Sequence, residues 1–235
     1  MLLVLTYHSI ASSDWAVAVT PENFRRQLEY LKKRGFLFVH AREIKNLLKE
    51  GAHRDHQYAC ITFDDGVEDN FTTAFPILKK LGIPASIFVT TGSVGLVRTD
   101  GRVVRFMSWE QMREMRESGF IEIENHTHSH GDLRGMSSSE IEEDVRRASD
   151  EIEHNLGVRP HVIAYPKGKY DVHVQESVSH ICDAALGSVG ITTASSMIDL
   201  YAIPRVPVHR RIKMWKFKLR TRPLFWKLQR AFGRI

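Results

Sequence analysis

Residues 59–66 read Ala59-Cys60-Ile61-Thr62-Phe63-Asp64-Asp65-Gly66, an apolar run that stops at two adjacent carboxylates and a glycine. A run of this length and composition suits a strand buried on both faces. In α/β barrels functional side chains gather at the ends of such strands, which makes Asp64 and Asp65 candidate site residues. Successive strand residues point to opposite sides, so both carboxylates reach one site only where the chain turns, and Gly66 permits that turn. Read alone, Asp-Asp-Gly describes a surface turn equally well.

The same grammar recurs along the chain. Short apolar or β-branched runs at 2–6, 36–39, 86–89, 120–124 and 162–164 alternate with helical patterns, the signature of βα units around a parallel sheet. Thr20-Pro21 opens a helix with Phe24, Leu28 and Leu31 on one face, and Gly35 ends it. Ser108 with Gln111, and Ser137 with Glu140, have capping-box spacing; they predict helices to Ser118 and Leu156, with exits at Gly119 and Gly157. The small and polar residues of 187–196 predict a loop. With 235 residues, 43% of them hydrophobic, the chain is long enough for one well-buried domain.

Two more strand ends carry reactive groups. Glu124-Asn125-His126-Thr127-His128-Ser129-His130 places three histidines within five residues directly after an apolar run. Imidazoles are costly to bury unpaired and are common ligands of divalent transition metals. His126 and His130, four apart, share a face if the segment is helical. A solvated histidine-rich loop is the alternative, and the Asp64-Asp65 pair weighs against it. The His-Glu-x-x-His protease pattern is absent, because Thr127 stands where its glutamate would be. Ala164-Tyr165-Pro166-Lys167-Gly168 follows a further strand; proline and glycine on either side of one residue hold its N–H in a fixed direction, although the stretch alone is an ordinary turn.

These three motifs, in this order, resemble the NodB-like polysaccharide deacetylases, carbohydrate esterase family four. Thr62-Phe63-Asp64-Asp65-Gly66, His126-Thr127-His128-Ser129-His130 and Tyr165-Pro166-Lys167-Gly168 match the family's three motifs. Leu5-Thr6-Tyr7-His8-Ser9, Phe75-Pro76-Ile77-Leu78-Lys79, Ile83-Pro84-Ala85-Ser86-Ile87-Phe88-Val89 and Ser108-Trp109 extend the similarity over residues 1–210. The resemblance implies a distorted, seven-stranded (β/α) barrel with a catalytic domain over 1–209. It implies metal-dependent hydrolysis of the N-acyl, usually N-acetyl, amide of an amino sugar in a polysaccharide, oligosaccharide or lipid-linked glycan. By the same resemblance Asp65, His126 and His130 bind a divalent metal, most often Zn2+, Asp64 is the general base, and Tyr165-Pro166-Lys167-Gly168 supplies the oxyanion contact through the Lys167 N–H. A deformylase or another amide hydrolase would use the same apparatus. A degenerate domain that only binds a glycan or membrane would not need a base beside a metal.

The chain departs from the family pattern twice. The general acid of many relatives lies on a late Leu-x-Leu-His motif; Val206-Pro207-Val208-His209 is the nearest analogue here, so His8, in the Tyr7-His8 pair ending the first strand, is the preferred acid and His209 the second choice. Ala164 occupies the position of the arginine that orients the base in many members. Arg205, in Ile203-Pro204-Arg205-Val206, is available to supply that charge, unless it is a surface arginine beginning the basic tail.

Charge is unevenly placed. The chain has 33 Lys and Arg against 28 Asp and Glu, yet eleven of the basic residues and none of the acids fall from Arg205 onward. The remainder is acidic overall, and no nucleic-acid motif is present, so a nucleic-acid partner is disfavoured. In the tail, 210–235, the basic residues are interleaved with Trp215, Phe217, Phe225, Trp226 and Phe232, and Phe225, Leu228, Phe232 and Ile235 recur at helical spacing. That pattern is expected either of an anionic membrane surface contact, where a lipid-linked sugar would be presented, or of a final helix packed on the barrel. Cys60 and Cys182 both lie in apolar runs and indicate neither a disulfide framework nor a zinc ribbon. The N-terminus reads as a first strand rather than a signal peptide, and no run approaches the ~18 apolar residues of a membrane span. The expectation is a cytoplasmic protein, free or peripheral on the cytoplasmic face of the membrane.

Overall fold

In the computed structural model, which describes residues 1–99, 101–193 and 196–232, seven parallel strands close into a ring. They are β1 (Leu2–Tyr7), β2 (Tyr58–Asp65), β3 (Ala85–Val89), β4 (Ile121–Asn125), β5 (Val162–Ala164), β6 (Ala184–Val189) and β7 (Ile203–Pro207). Each pairs with the next in sequence, and β7 returns to β1 with Leu5 opposite Val206. A short strand, Leu37–Val39, attaches to the first residues of β2 outside the ring. Helices α1 (Pro21–Lys33), α2 (Ile44–Lys49), α3 (Phe75–Leu81), α4 (Trp109–Glu117), α5 (Ser138–Leu156), α6 (Val172–Ser179), α7 (Met214–Arg220) and α8 (Pro223–Ala231) fill the connections and the C-terminal segment. This is the seven-stranded (β/α) barrel expected from the sequence.

Period-two alternation decides what each strand residue touches. Leu2, Val4, Cys60, Phe88, Val162, Ala164, Ala184, Leu186 and Ile203 form one buried cluster. Their odd-numbered neighbours Leu3, Leu5, Tyr7, Ile61, Phe63 and Ile87 pack instead with Phe24, Leu28 and Leu31 of α1 and with the other helices. Tyr7, Phe24 and Phe63 lock strand to helix with ring centroids 5.1 to 5.7 Å apart. Thr6, Thr62 and Asp64 continue the inward phase of the first cluster on β1 and β2, Arg205 continues that of Ile203 on β7, and all sit at or toward the C-terminal ends of their strands, so ring closure turns these polar side chains toward one another.

The helix boundaries follow their caps. Thr20 accepts the Asn23 N–H ahead of Pro21, and Gly35, at φ 77°, lies just beyond the helix end. Ser108 and Ser137 form reciprocal capping boxes with Gln111 and Glu140. The expected loop at 187–196 is corrected at its start: β6 continues to Val189, where it pairs with Arg205 of β7, while 190–193 and 196 lie outside the strand. Its composition carries no strand signal because Gly187 answers a packing demand. A Cβ there would lie 2.5 Å from Tyr170 Cε1 and 2.8 Å from Tyr165 Cδ2, and the register slips between Leu186 and Val189. Residues 194 and 195 of the expected loop lie outside the described residues.

The C-terminal helices pack on the barrel with one face. Phe217 is buried against Tyr30 of α1, with ring centroids 6.3 Å apart, and Trp226 is buried with its Nε1–H donated to Arg220 O. Phe217 and Trp226, expected among the lipid-facing rings, are therefore core residues. Trp215, Leu219, Leu224, Leu228 and Phe232 stay exposed, and Ile235 lies outside the described residues. Among the described residues no helix is long and apolar enough to cross a membrane.

Candidate active site

Asp64 and Asp65 reach one site because the chain turns at the second of them. Asp64 has the inward parity of β2, whereas a regular strand would send Asp65 outward. Asp65 adopts φ 73° and Gly66 φ 76°, left-handed conformations that aspartate tolerates better than most residues and glycine freely. The turn thus begins one residue earlier than the glycine alone indicates, and it brings the Asp65 carboxylate beside the histidines.

The histidine segment is not helical, so His126 and His130 do not meet as neighbours on one helix face. Asn125, fully buried at the end of β4, donates to Val145 O and Ser149 Oγ of α5, each at 2.9 Å, and accepts the Thr127 N–H at 2.7 Å. Thr127 at φ 66° and His130 at φ 57° reverse the chain, and Thr127 Oγ1 accepts the His130 N–H. A tight loop pinned by side-chain to backbone bonds therefore does the work that one helical turn would do. His128 turns aside, with its Nδ1 3.0 Å from Thr91 Oγ1 and 3.2 Å from Glu151 Oε2.

His126 Nε2 and His130 Nε2 lie 3.5 and 3.3 Å from Asp65 Oδ1, and the three candidate ligand atoms all fall within 4.8 Å of one another. His126 Nδ1 is 2.7 Å from Ala164 O. A carbonyl only accepts, so Nδ1 is the donor there and, in the neutral ring, Nε2 presents a lone pair toward Asp65. Asp65 Oδ1 is buried and makes no hydrogen bond; its contacts with the two rings are long and fail as hydrogen bonds, so we read them as ligands sharing a centre rather than as ion pairs. Lone pairs converging on one point fit a divalent cation.

A cavity of about 320 Å3 opens beside this cluster, and Asp64, Asp65, His126, His130, His8, Lys167, Gly168 and Arg205 all border it. Arg205 Nη1 donates to Asp64 Oδ1 at 2.7 Å, with both side chains buried. Burial pushes the Asp64 carboxyl up, but Arg205, His126 and His8 outweigh it and hold the group below the ordinary carboxylate range. His8 is fixed through its backbone, whose carbonyl accepts from Asn70 Nδ2 at 2.7 Å, while Asp69 binds the following Ser9 and Ile10. Lys167 stands at φ 59°. The turn's bonds run from the Gly168 N–H to Tyr165 O and from the Lys169 N–H to Pro166 O, leaving the Lys167 N–H outside them.

Tyr165, Pro166 and His209 do not border the cavity. Tyr165 is a core ring stacked on Tyr170 at 4.6 Å, its hydroxyl donating to Tyr201 O. His209 is half-buried, and burial with Arg220, Arg211 and Lys216 lowers its pKa. Sequence reasoning passed over Thr6, Gly187, Val189 and Pro207, which also line the cavity. Thr6 and Pro207 stand at strand ends and were within reach of the barrel rule; nothing local marks Asn70 as the support of His8.

The polysaccharide deacetylase family model matches residues 51–181, more than half of the chain. YxkH of Bacillus subtilis (strain 168) is 29% identical over 211 residues, covering 88% of this chain and 71% of that protein. The poly-beta-1,6-N-acetyl-D-glucosamine N-deacetylase of Staphylococcus epidermidis is 29% identical over 159 residues, 64% of this chain; the chain spans about half of that relative's length, 54%. The structure of the Streptococcus pyogenes deacetylase PplD in complex with acetate superposes with a TM-score of 0.84 at 23% identity, covering 94% of this chain and 98% of that one, and so shares the barrel fold. With the motifs in family order and at the strand ends of that barrel, the chain belongs to the polysaccharide deacetylase family.

Proposed function

We propose that the chain hydrolyses the N-acyl amide, N-acetyl above all, of an amino sugar within a polysaccharide, oligosaccharide or lipid-linked glycan, and that it does so with a bound divalent metal. The observation that carries this reading is the convergence of Asp65, His126 and His130 directly beside the buried Asp64–Arg205 pair in one cavity. Asp65, His126 and His130 are the residues to hold the metal, with Zn2+ suited to two imidazoles and a carboxylate. Such a cation, when bound, polarises an amide carbonyl and lowers the pKa of water. Asp64, kept ionised and oriented by Arg205, accepts the proton of the attacking water. The Lys167 N–H donates to the carbonyl oxygen as negative charge develops there. His8 protonates the departing amine, a poor leaving group until it gains that proton.

Metal content and acyl release decide the matter together. With tetra-N-acetylchitotetraose and poly-β-1,6-N-acetylglucosamine fragments as probes, metal-loaded protein is expected to release acetate. Asp65→Ala, His126→Ala or His130→Ala should lower metal occupancy and turnover in step, whereas Asp64→Asn should keep the metal and lose roughly 10²–10⁴-fold in rate. Release of formate from an N-formyl analogue in place of acetate would move the assignment to a deformylase. Binding of metal and glycan without any acyl release would leave a binding domain.

The exposed face of α7 and α8 supports a membrane partner. Trp215 and Leu219, then Leu224, Leu228 and Phe232, lie exposed at successive helical turns, and residues 210–235 carry basic groups without an acid. Aromatic and aliphatic side chains among cations suit an anionic lipid surface.

A further inference from the structure

Asp65 and His130 serve two cavities. They also form part of the wall of a second space of about 360 Å3, which Asp64 and Arg205 do not border and which is lined also by Trp15, Ser93, Arg98, Arg102 and Phe106. Both arginines come from an antiparallel hairpin, Val97–Thr99 with Val103–Arg105, inserted between β3 and α4. The hairpin base is bonded to the turn that carries Asp65. The Met107 N–H donates to Gly66 O at 2.9 Å and the Glu68 N–H to Arg105 O at 2.8 Å. The base of the hairpin is therefore anchored to the turn of the proposed metal site.

Both guanidinium groups lie against aromatic rings, on side chains that remain exposed. Arg98 Cζ lies 5.2 Å from the Phe106 ring centroid while its Nη2 donates to Ser93 Oγ at 2.7 Å. Arg102 Cζ lies 5.5 Å from the Trp15 ring centroid. An arginine held against an aromatic ring keeps in-plane N–H donors for a carboxylate or phosphate. Among the described residues the acid paired with Arg102 is Asp14, at 3.8 Å, and that side chain is 90% exposed, a rim contact worth little in water. Among the described residues Asp65 is the cavity's only carboxylate, and it faces the two histidines. Among the described residues, then, a cationic wall adjoins the reaction cavity with no buried acid paired to either arginine, while Trp15, Val104 and Phe106 add apolar surface suited to the carbon face of a sugar ring.

We infer that this second cavity is a substrate subsite for an anionic glycan: it receives a carboxylate or phosphate carried next to the N-acylated sugar, with Arg98 and Arg102 as its specificity determinants. The inference rests on the deacetylase reading above for the sugar that enters the neighbouring cavity. Two paired arginine contacts to an oxyanion are expected to tighten binding by about tenfold or more over a neutral glycan of equal length.

The test compares three probes on wild type, Arg98→Gln, Arg102→Gln and the double variant, by calorimetry and by initial rates of acyl release. The probes are tetra-N-acetylchitotetraose, which is neutral; a hyaluronan tetrasaccharide, which alternates N-acetylglucosamine with glucuronate; and N-acetylglucosamine linked through a diphosphate to a short prenyl chain. At low salt the wild type should prefer a charged probe about tenfold, and the double variant should lose that preference, binding charged and neutral probes alike. The loss should appear in KM rather than kcat, and the charged probe that is favoured identifies the source of the anion. Equal affinity of the wild type for all three probes, or a double variant that keeps the preference, overturns the inference. Acyl release from the neutral probe without a charge preference removes the subsite and keeps the reaction. An arginine-dependent binding preference without acyl release from any probe removes the reaction and keeps the subsite.

Discussion

Arg205→Met tests the electrostatic centre of the site. Arg205 and Asp64 meet at 2.7 Å, with side chains only 7% and 5% exposed, so the substitution strands a buried carboxylate. Removing one partner of such a pair costs about 3–5 kcal/mol. For a chain of this length each kcal/mol moves Tm by roughly 2–4 °C, so Arg205→Met should lower Tm by about 6–20 °C. The same change in an Asp64→Asn background no longer isolates a negative charge and should cost at least about 2 kcal/mol less, within the range found for close charge pairs. Thermal unfolding of the four proteins of this double-mutant cycle, in chelator so that a metal cannot compensate, measures the coupling. The sign with pH is also set. The Asp64 pKa is lowered in the fold, so the pair contributes stability above the ordinary carboxylate pKa of about 4 and loses it as pH falls through the depressed value. The gap between wild type and Arg205→Met should therefore narrow in acid. Additivity of the two substitutions within about 0.5 kcal/mol would refute the reasoning, because it would mean that the two groups do not sense each other.

Turnover should fall far more in His8→Ala than in His209→Ala, with metal content unchanged in both, because only His8 borders the cavity; the opposite ranking in steady-state assays would move the proton donor to the late motif. Full-length protein should co-sediment with phosphatidylglycerol liposomes at low salt, and serine at Trp215, Leu224, Leu228 and Phe232 together should abolish this without unfolding the chain, since all four are exposed; unaltered sedimentation would remove these helices as the anchor. Truncation after His209 is a poor substitute, because it deletes the buried Phe217 and Trp226. Gly187→Ala should destabilise by about 1–3 kcal/mol, the usual cost of overpacking, as its Cβ would meet the Tyr165–Tyr170 stack; an unchanged urea midpoint would show that the stack yields freely.

Several features were legible in the chain because they are local. Thr20-Pro21, the boxes at Ser108 and Ser137, and Gly157 terminate or open helices through bonds within a few residues, and the alternation of β1 and β2 separates inward from outward side chains in any register that buries both faces. The order of Asp64-Asp65, His126-x-x-x-His130 and Tyr165-Pro166-Lys167-Gly168 likewise needs no coordinates. What tertiary structure alone decided is which distant groups meet. Closing β7 onto β1 carries Arg205 to Asp64 across 141 positions of sequence. The buried Asn125, tied to α5, shapes 126–130 into a loop where spacing alone allowed a helix. β6 runs on to Val189 because β5 pairs with it as far as Leu186 and β7 as far as Val189, although Gly187 and the small residues around it favour a loop. Of the aromatic residues in the C-terminal segment, contact with Tyr30 and the barrel wall, rather than spacing, selects Phe217 and Trp226 for burial and leaves Trp215 and Phe232 in solvent. Local bonding rules act over one helical turn or one strand pair and can be read from neighbours in the chain; pairing across the ring depends on closure, which no short window of sequence contains.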